Sequence, residues 1–216
     1  MERLQVGRVL ARELQRADPN APAPPAYDRL LKRAMIRQRR RPHIYSAEEI
    51  ERLLRTARNF PSPKAPLRPQ TLYTMLVLAY CVGLRMGELV RLQLRDLRLE
   101  EGSVEIRETK FFKSRRLPVK PSVVAALNSY LAQRAQSGLP TDPDAPLFCH
   151  EKGGYAYGTA EQHLRFVVRA AGLKPEPGRR GPRIHDLRHT FVVHRMIAWY
   201  RQGINPQARL PYLSTY

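Results

Sequence analysis

Cysteine is scarce in this chain, with only Cys81 and Cys149 among 216 residues. Two cysteines cannot build the disulfide network that holds small secreted domains together, so we expect a reducing compartment. Long apolar runs are also missing. The longest such run, residues 72–84, contains Thr and Tyr and is too short to cross a bilayer. The sequence therefore predicts a cytoplasmic protein with no membrane partner.

Acidic residues are the other shortage. Nineteen Asp and Glu stand against 38 Lys and Arg, which gives a formal net charge of +19 and a pI near 10.7. The hydrophobic fraction of 43% is ordinary for a folded domain, so the basic excess does not indicate a disordered chain. Such a charge favours a polyanionic partner, with nucleic acid the leading candidate. A solvated basic surface is the alternative that composition leaves open.

Prolines divide the chain into a short arm and a larger domain. Residues 19–25 hold four prolines and predict an extended linker, and residues 1–42 are too few for a domain of their own. The larger domain is expected over residues 43–216. Capping boxes at Ser46–Glu49 and at Thr159–Gln162 predict the starts of two of its helices.

The hydrophobic pattern of this domain is mostly helical. A buried helix is predicted over residues 70–82, with Gly83 ending it in a left-handed conformation, and a final helix over residues 185–202. Residues 103–119 alternate instead with a period of two, which predicts a β-hairpin with a basic, aromatic tip. The expected fold class is mainly α with a small antiparallel β-sheet (α+β).

Arg85 is a candidate functional residue because it lies between the glycine stop at Gly83 and a new helix beginning at Met86. That position would hold its side chain in a fixed cleft. The alternative is a surface arginine that pairs with Glu88, three residues further on.

The pentapeptide His185-Asp186-Leu187-Arg188-His189 is the second candidate. Its two histidines and its arginine share one face at a helix start, where exposed backbone N–H groups favour an anion. A solvated polar face is one alternative. A zinc hydrolase is another, because the two histidines are four residues apart, although Asp186 replaces the catalytic Glu of that motif and Arg188 would repel a cation.

Three stretches together resemble the catalytic domain of the tyrosine recombinases, also called phage-type integrases. They occur in the family's order with compatible spacing, and the resemblance covers roughly residues 43–216. The stretches are Gly83-Leu84-Arg85-Met86-Gly87-Glu88-Leu89, Thr109-Lys110-Phe111-Phe112-Lys113-Ser114-Arg115-Arg116-Leu117-Pro118 and His185-Asp186-Leu187-Arg188-His189-Thr190-Phe191.

The resemblance implies a role for each matching residue. Arg85 and Arg188 would clamp the non-bridging oxygens of a scissile phosphate, and Lys110 would protonate the departing 5′-oxygen. His185 would assist proton transfer. The resemblance implies no metal and no cofactor. The remaining assignments are supporting roles for Glu88 and His189, and DNA binding by Lys113, Arg115, Arg116, Arg39, Arg40 and Arg41.

The resemblance also implies that this chain is shortened at both ends. Residues 1–42 match only the last part of the family's N-terminal core-binding (SAM-like) helical domain and its linker. Tyr212 and Tyr216 precede the expected position of the nucleophilic tyrosine, so neither is assigned that role.

The expected function is site-specific recombination or integration of double-stranded DNA by metal-independent phosphoryl transfer, on the nucleoid. Other recombinase protomers would be partners of the full-length protein. These 216 residues alone are expected to be catalytically incomplete. The alternative is a non-catalytic DNA-binding remnant.

Overall fold

The computed structural model describes residues 15, 18–20, 42–107, 114–173 and 181–214. The chain divides into two compact units, residues 1–41 and residues 42–216. Almost all of the first unit lies outside the described residues, including Arg39, Arg40 and Arg41. The assignment of residues 1–42 to a core-binding remnant therefore stays a prediction.

Helices dominate the described part of the second unit. The helices predicted over residues 70–82 and 185–202 are found at Arg68–Cys81 and Asp186–Arg201, and the first of them stops as expected before Gly83, whose φ is +74°. In chain order the helices are α1 (Ala47–Arg58), α2 (Arg68–Cys81), α3 (Met86–Leu89), α4 (Pro121–Gln136), α5 (Tyr157–Ala170), α6 (Asp186–Arg201) and α7 (Pro206–Ser214). None of the helices in the described segments is both long and apolar enough to cross a membrane.

Within the described segments, the strands form two small antiparallel sheets. Strands β2 (Ser103–Ile106) and β3 (Arg115–Pro118) are the predicted hairpin, with Val104 opposite Leu117. Its tip, residues 108–113, lies outside the described residues. Sequence reasoning missed the flanking strand β1 (Leu97–Arg98) and the second sheet, β4 (Cys149–His150) with β5 (Gly153–Gly154). The predicted mainly α fold with a small antiparallel sheet is confirmed.

One of the two predicted capping boxes is confirmed. The Glu49 N–H donates to Ser46 Oγ at 3.2 Å, and the Ser46 N–H donates to Glu49 Oε2 at 2.9 Å. The box at Thr159 is wrong because α5 begins three residues earlier than predicted, with Ala156 rather than Thr159 in the cap position. Strand β5 ends at Gly154 and the following Tyr155 is buried, so the chain enters the helix before it reaches Thr159.

Helix α2 is the centre of the core. Eight of its 14 residues are buried, among them Leu72 and Met75 with no exposed surface. A helix that is apolar on most of its faces is covered on most of its faces, and α2 packs against α1, α4 and α6. Its C-terminal end, beside α6, is where the candidate site forms.

Candidate active site

Gly83 connects the two halves of the site. At φ +74° its backbone lies in the left-handed region, which only glycine adopts without strain. A Cβ at this position would lie 2.6 Å from Cδ1 of Phe191 on α6. The Gly83 carbonyl accepts a hydrogen bond from Nη1 of Arg188. The turn therefore contacts α6 closely and fixes one edge of the Arg188 guanidinium.

Arg85 is held by a buried carboxylate. It occupies the cap position of α3, where its backbone N–H donates to Glu88 Oε2 at 2.9 Å. Its Nη1 donates to Glu88 Oε1 at 2.8 Å. The Glu88 side chain is only 4% exposed, whereas that of Arg85 is 50% exposed. Glu88 thus holds the Arg85 side chain in place while half of that side chain stays exposed to solvent. The sequence had offered a fixed position and an ion pair with Glu88 as alternatives, and both are found.

Arg115 is the third arginine of the site. From β3 its Nη2 donates to Glu88 Oε2 at 3.1 Å, and its side chain is 15% exposed. The adjacent Arg116 is 57% exposed and pairs with Glu101 at 2.7 Å. Successive side chains of a strand point to opposite faces of the sheet. The Arg115 side chain therefore faces Glu88, while that of Arg116 faces solvent. DNA binding was the sequence prediction for both, and the geometry accommodates it more readily for Arg116.

The charges of these neighbours change the pKa of Arg188. Burial and the nearby guanidiniums of Arg85 and Arg115 lower the pKa of Arg188 to about 10, while Glu88 acts in the opposite direction. Arg188 therefore remains protonated at neutral pH. Three arginines around one carboxylate leave an excess of positive charge, and a bound anion would relieve their mutual repulsion.

Two imidazoles, those of His185 and His189, lie side by side at the start of α6. His185 lies at the cap position, and the rings of His185 and His189 are 5.1 Å apart in an edge-to-face arrangement. Partial burial and the charges of His189, Arg183 and Arg188 lower the pKa of His185, so it is neutral at pH 7. Asp186 is wholly buried and accepts hydrogen bonds from the backbone and guanidinium of Arg183. That carboxylate is a structural anchor.

A distant segment fixes this helix start. The Tyr45 N–H donates to Thr190 Oγ1 at 3.1 Å, and Thr190 Oγ1 donates to the Asp186 carbonyl at 2.9 Å. The Tyr45 hydroxyl donates to the Arg183 carbonyl at 3.2 Å. Sequence reasoning missed this network, which holds the His185 turn rigidly.

The structure brings together five of the predicted site residues, Arg85, Glu88, Arg115, Arg188 and His185, with His189 alongside. Lys110 and Lys113 lie outside the described residues, so their roles stay predictions. Within the described segments, no three His, Cys, Asp or Glu side chains lie close enough to hold a metal ion together. The zinc alternative therefore gains no support from this geometry.

The fold is that of a tyrosine recombinase catalytic domain. Residues 44–207 match the phage integrase family, and the chain belongs to that family, as the sequence motifs predicted. It is 36% identical to the integrase/recombinase candidate y4rB of Sinorhizobium fredii, over 99% of this chain and 68% of that protein. It is 28% identical to the tyrosine recombinase XerA of Pyrococcus furiosus, over 72% of this chain and 48% of that protein.

Solved structures agree on the fold. A crystal structure of XerA recombinase superposes with a TM-score of 0.57 and 26% identity, covering 81% of this chain and 61% of that one. The Tn1549 transposon integrase in complex with circular intermediate DNA gives a TM-score of 0.68 at 20% identity, over 97% and 70%. This chain spans 48–68% of the length of y4rB and Pyrococcus XerA.

Proposed function

We propose that this chain carries the phosphate-clamping part of a tyrosine recombinase active site and that its substrate is double-stranded DNA. The observation that carries the proposal is the hydrogen bond from Arg188 to the carbonyl of Gly83, two residues before Arg85, with His185 at the start of the helix that holds Arg188. Among the structural neighbours, XerH is solved with its difH substrate and the Tn1549 integrase with DNA. Such a substrate would place the protein on the nucleoid, with other recombinase protomers as partners.

The two arginines would act by electrostatic stabilisation of the scissile phosphate. A guanidinium donates in a planar fork that matches phosphate oxygens, and it stays charged. The Gly83 carbonyl and the Glu88 carboxylate already hold one edge of Arg188 and of Arg85, so little reorganisation is needed when negative charge develops. An arginine at a transferring phosphoryl group can contribute about 10³–10⁵ in rate.

Proton transfer is assigned to His185 and Lys110. His185 is neutral at pH 7 because its pKa is lowered, so it can accept a proton from an attacking hydroxyl. Lys110 would protonate the departing 5′-oxygen, as the resemblance implies. Lys113, Arg116, Arg39, Arg40 and Arg41 would contact the DNA backbone. No step in this scheme uses a metal or a cofactor.

DNA binding should depend steeply on salt. If the basic surface neutralises about eight phosphates, the logarithm of the association constant should fall against the logarithm of salt concentration with a slope near −7. Fluorescence anisotropy of a labelled 30-base-pair duplex, measured between about 50 and 300 mM salt, would give this slope. Affinity that stays constant across this range would contradict a DNA substrate.

Covalent trapping tests whether any tyrosine of these 216 residues acts as a nucleophile on DNA. A nicked suicide duplex carrying a sequence selected by the protein from random DNA would capture any nucleophile. For a polypeptide of these 216 residues we expect binding without a covalent adduct at Tyr212 or Tyr216, because the family resemblance assigns the nucleophilic role to neither of them. An adduct mapped by mass spectrometry to Tyr212 or Tyr216 would overturn that expectation.

A further inference from the structure

A second basic cavity lies at the other end of the central helix. It has a volume of about 460 Å³, and its walls come from the start of α2, the segment before it, the residues following α4, the β4–β5 hairpin and the start of α5. The 14 residues of α2 separate it from the turn at Gly83, a distance of about 20 Å at 1.5 Å per residue. The cavity is thus distinct from the arginine site. The side chains that matter for its chemistry are Lys64, Arg68, His150, Lys152, Tyr155 and His163.

Two buried polar atoms of this cavity are unsatisfied. Arg68 Nε and His163 Nδ1 have almost no exposed surface and no hydrogen-bond partner in the part of the chain that the structure describes. Buried polar atoms are paired in nearly all native proteins, since leaving one unpaired costs free energy. The side chains of Arg68 and His163 come from different helices and both line the cavity, so one ligand with several acceptor oxygens could contact both.

The charges around the cavity favour an anion. Lys64, Arg68 and Lys152 line it together with one carboxylate, Glu151. Both α2 and α5 begin here with no acidic residue in the first turn and no side-chain cap, so their positive ends are not neutralised. Burial, then the charges of Arg68 and His150, lower the pKa of His163. The cavity therefore repels an additional cation.

Three rings form one wall. The Tyr155 ring lies 5.1 Å from that of His150 and 6.2 Å from that of His163, both in edge-to-face geometry. The cavity exceeds the volume of a lone phosphate, so it has room for a phosphate with an attached sugar. We propose that this cavity binds a phosphoryl group through Arg68 and His163, supplied either by a nucleic-acid backbone or by a free phosphate compound. This assignment does not depend on the recombinase chemistry.

The imidazole of His163 provides a direct test. The full chain, labelled with ¹⁵N and ¹³C at histidine, would be titrated with inorganic phosphate and, separately, with a short DNA duplex. His163→Gln would identify the resonance among the six histidines. We expect a saturable shift of the His163 signal and a rise of its pKa, because an adjacent anion stabilises the imidazolium. Sodium chloride at matched ionic strength should not reproduce the effect.

The two ligands separate the sources of the phosphate. A His163 response to the duplex alone would assign the site to a nucleic-acid backbone, and a response to inorganic phosphate that the duplex does not displace would assign it to a free phosphate compound. Absence of a response to both ligands would overturn the proposal, whatever the variants do.

Arg68→Gln and Arg169→Gln form a matched pair of variants. Each removes one positive charge, but Arg169 is exposed in the last turn of α5, away from the cavity. The first should weaken phosphate binding about tenfold or more through loss of a charge-assisted hydrogen bond, and the second less than twofold. Circular dichroism would establish that both variants are folded. Equal weakening in the two would show that general charge screening, not this cavity, binds phosphate.

Discussion

Replacing Glu88 by glutamine is expected to lower the free energy of unfolding by about 3 kcal/mol, since breaking a buried ion pair leaves its partners uncompensated. The Glu88 carboxylate accepts hydrogen bonds from the guanidiniums of both Arg85 and Arg115 and from the Arg85 backbone N–H. Glutamine keeps the shape but removes the charge, so the two arginines would repel each other. Urea denaturation followed by circular dichroism would measure the change.

Glu101→Gln is the matched control. Glu101 also pairs with an arginine, Arg116, but both of these side chains are 57% exposed. Exposed ion pairs contribute little, so this variant should lose less than about 1 kcal/mol. Equal losses in the two variants would contradict the special role assigned to the buried carboxylate.

The pH dependence gives an independent check on Glu88. Burial acts to raise the pKa of Glu88, but hydrogen bonds from Arg85 and Arg115 and the charge of Arg115 outweigh it and hold that pKa below its ordinary value of 4.5. The unfolded chain therefore takes up the proton first as pH falls, and the stabilisation from Glu88 is complete above pH 4.5. It is lost as pH falls through the lower pKa of the folded state. The difference in unfolding free energy between wild type and Glu88→Gln should shrink only in that acidic range.

Gly83→Ala is expected to cost about 3 kcal/mol. A left-handed backbone costs an alanine about 1–2 kcal/mol, and overpacking adds about 1–3 kcal/mol. The second contribution arises because the new Cβ would lie 2.6 Å from Cδ1 of Phe191. Any shift of α6 would also move Arg188, so affinity for DNA containing a cleavage site should fall along with stability.

Controls can separate the two contributions. Gly138 has a similar φ of +65°, but a Cβ there would meet no atom within 4 Å. Gly138→Ala should therefore lose only the backbone contribution, about 1 kcal/mol. In the double variant, Phe191→Leu removes the ring that the new Cβ of Gly83→Ala would meet, so part of the loss in unfolding free energy should be recovered. The two single variants and the double variant form a double-mutant cycle that measures this coupling. Identical unfolding free energies for the two alanine variants would show that contact with Phe191 has no energetic weight.

Local signals predicted most of the elements that position the site. The Ser46 capping box, the stop at Gly83 and the alternation around Val104 each depend on neighbouring residues, and each is found in the structure. A signal for Arg115 was also present, because it is two residues from the buried Leu117 and therefore faces the same side of β3. Sequence reasoning had grouped it instead with the exposed hairpin arginines.

Contacts between distant segments could not be predicted in this way. The pairing of Tyr45 with Thr190 and of Arg188 with the Gly83 carbonyl depends on how helices dock. Arg134 is only 2% exposed and donates to the carbonyls of Leu147 and Pro146, yet nothing in its sequence context separates it from exposed arginines. The basic cavity was missed for the same reason, since several separate segments form it.

The bond from Arg188 to Gly83 joins positions 105 residues apart. Closing so long a loop costs chain entropy, and contacts of this separation are slow to form. On a ribosome, Arg85 and Glu88 emerge well before α6 has been synthesised. A nascent chain thus presents Arg85 as an ordinary basic side chain, and its pairing with Arg188 in one site arises only once α6 has been synthesised.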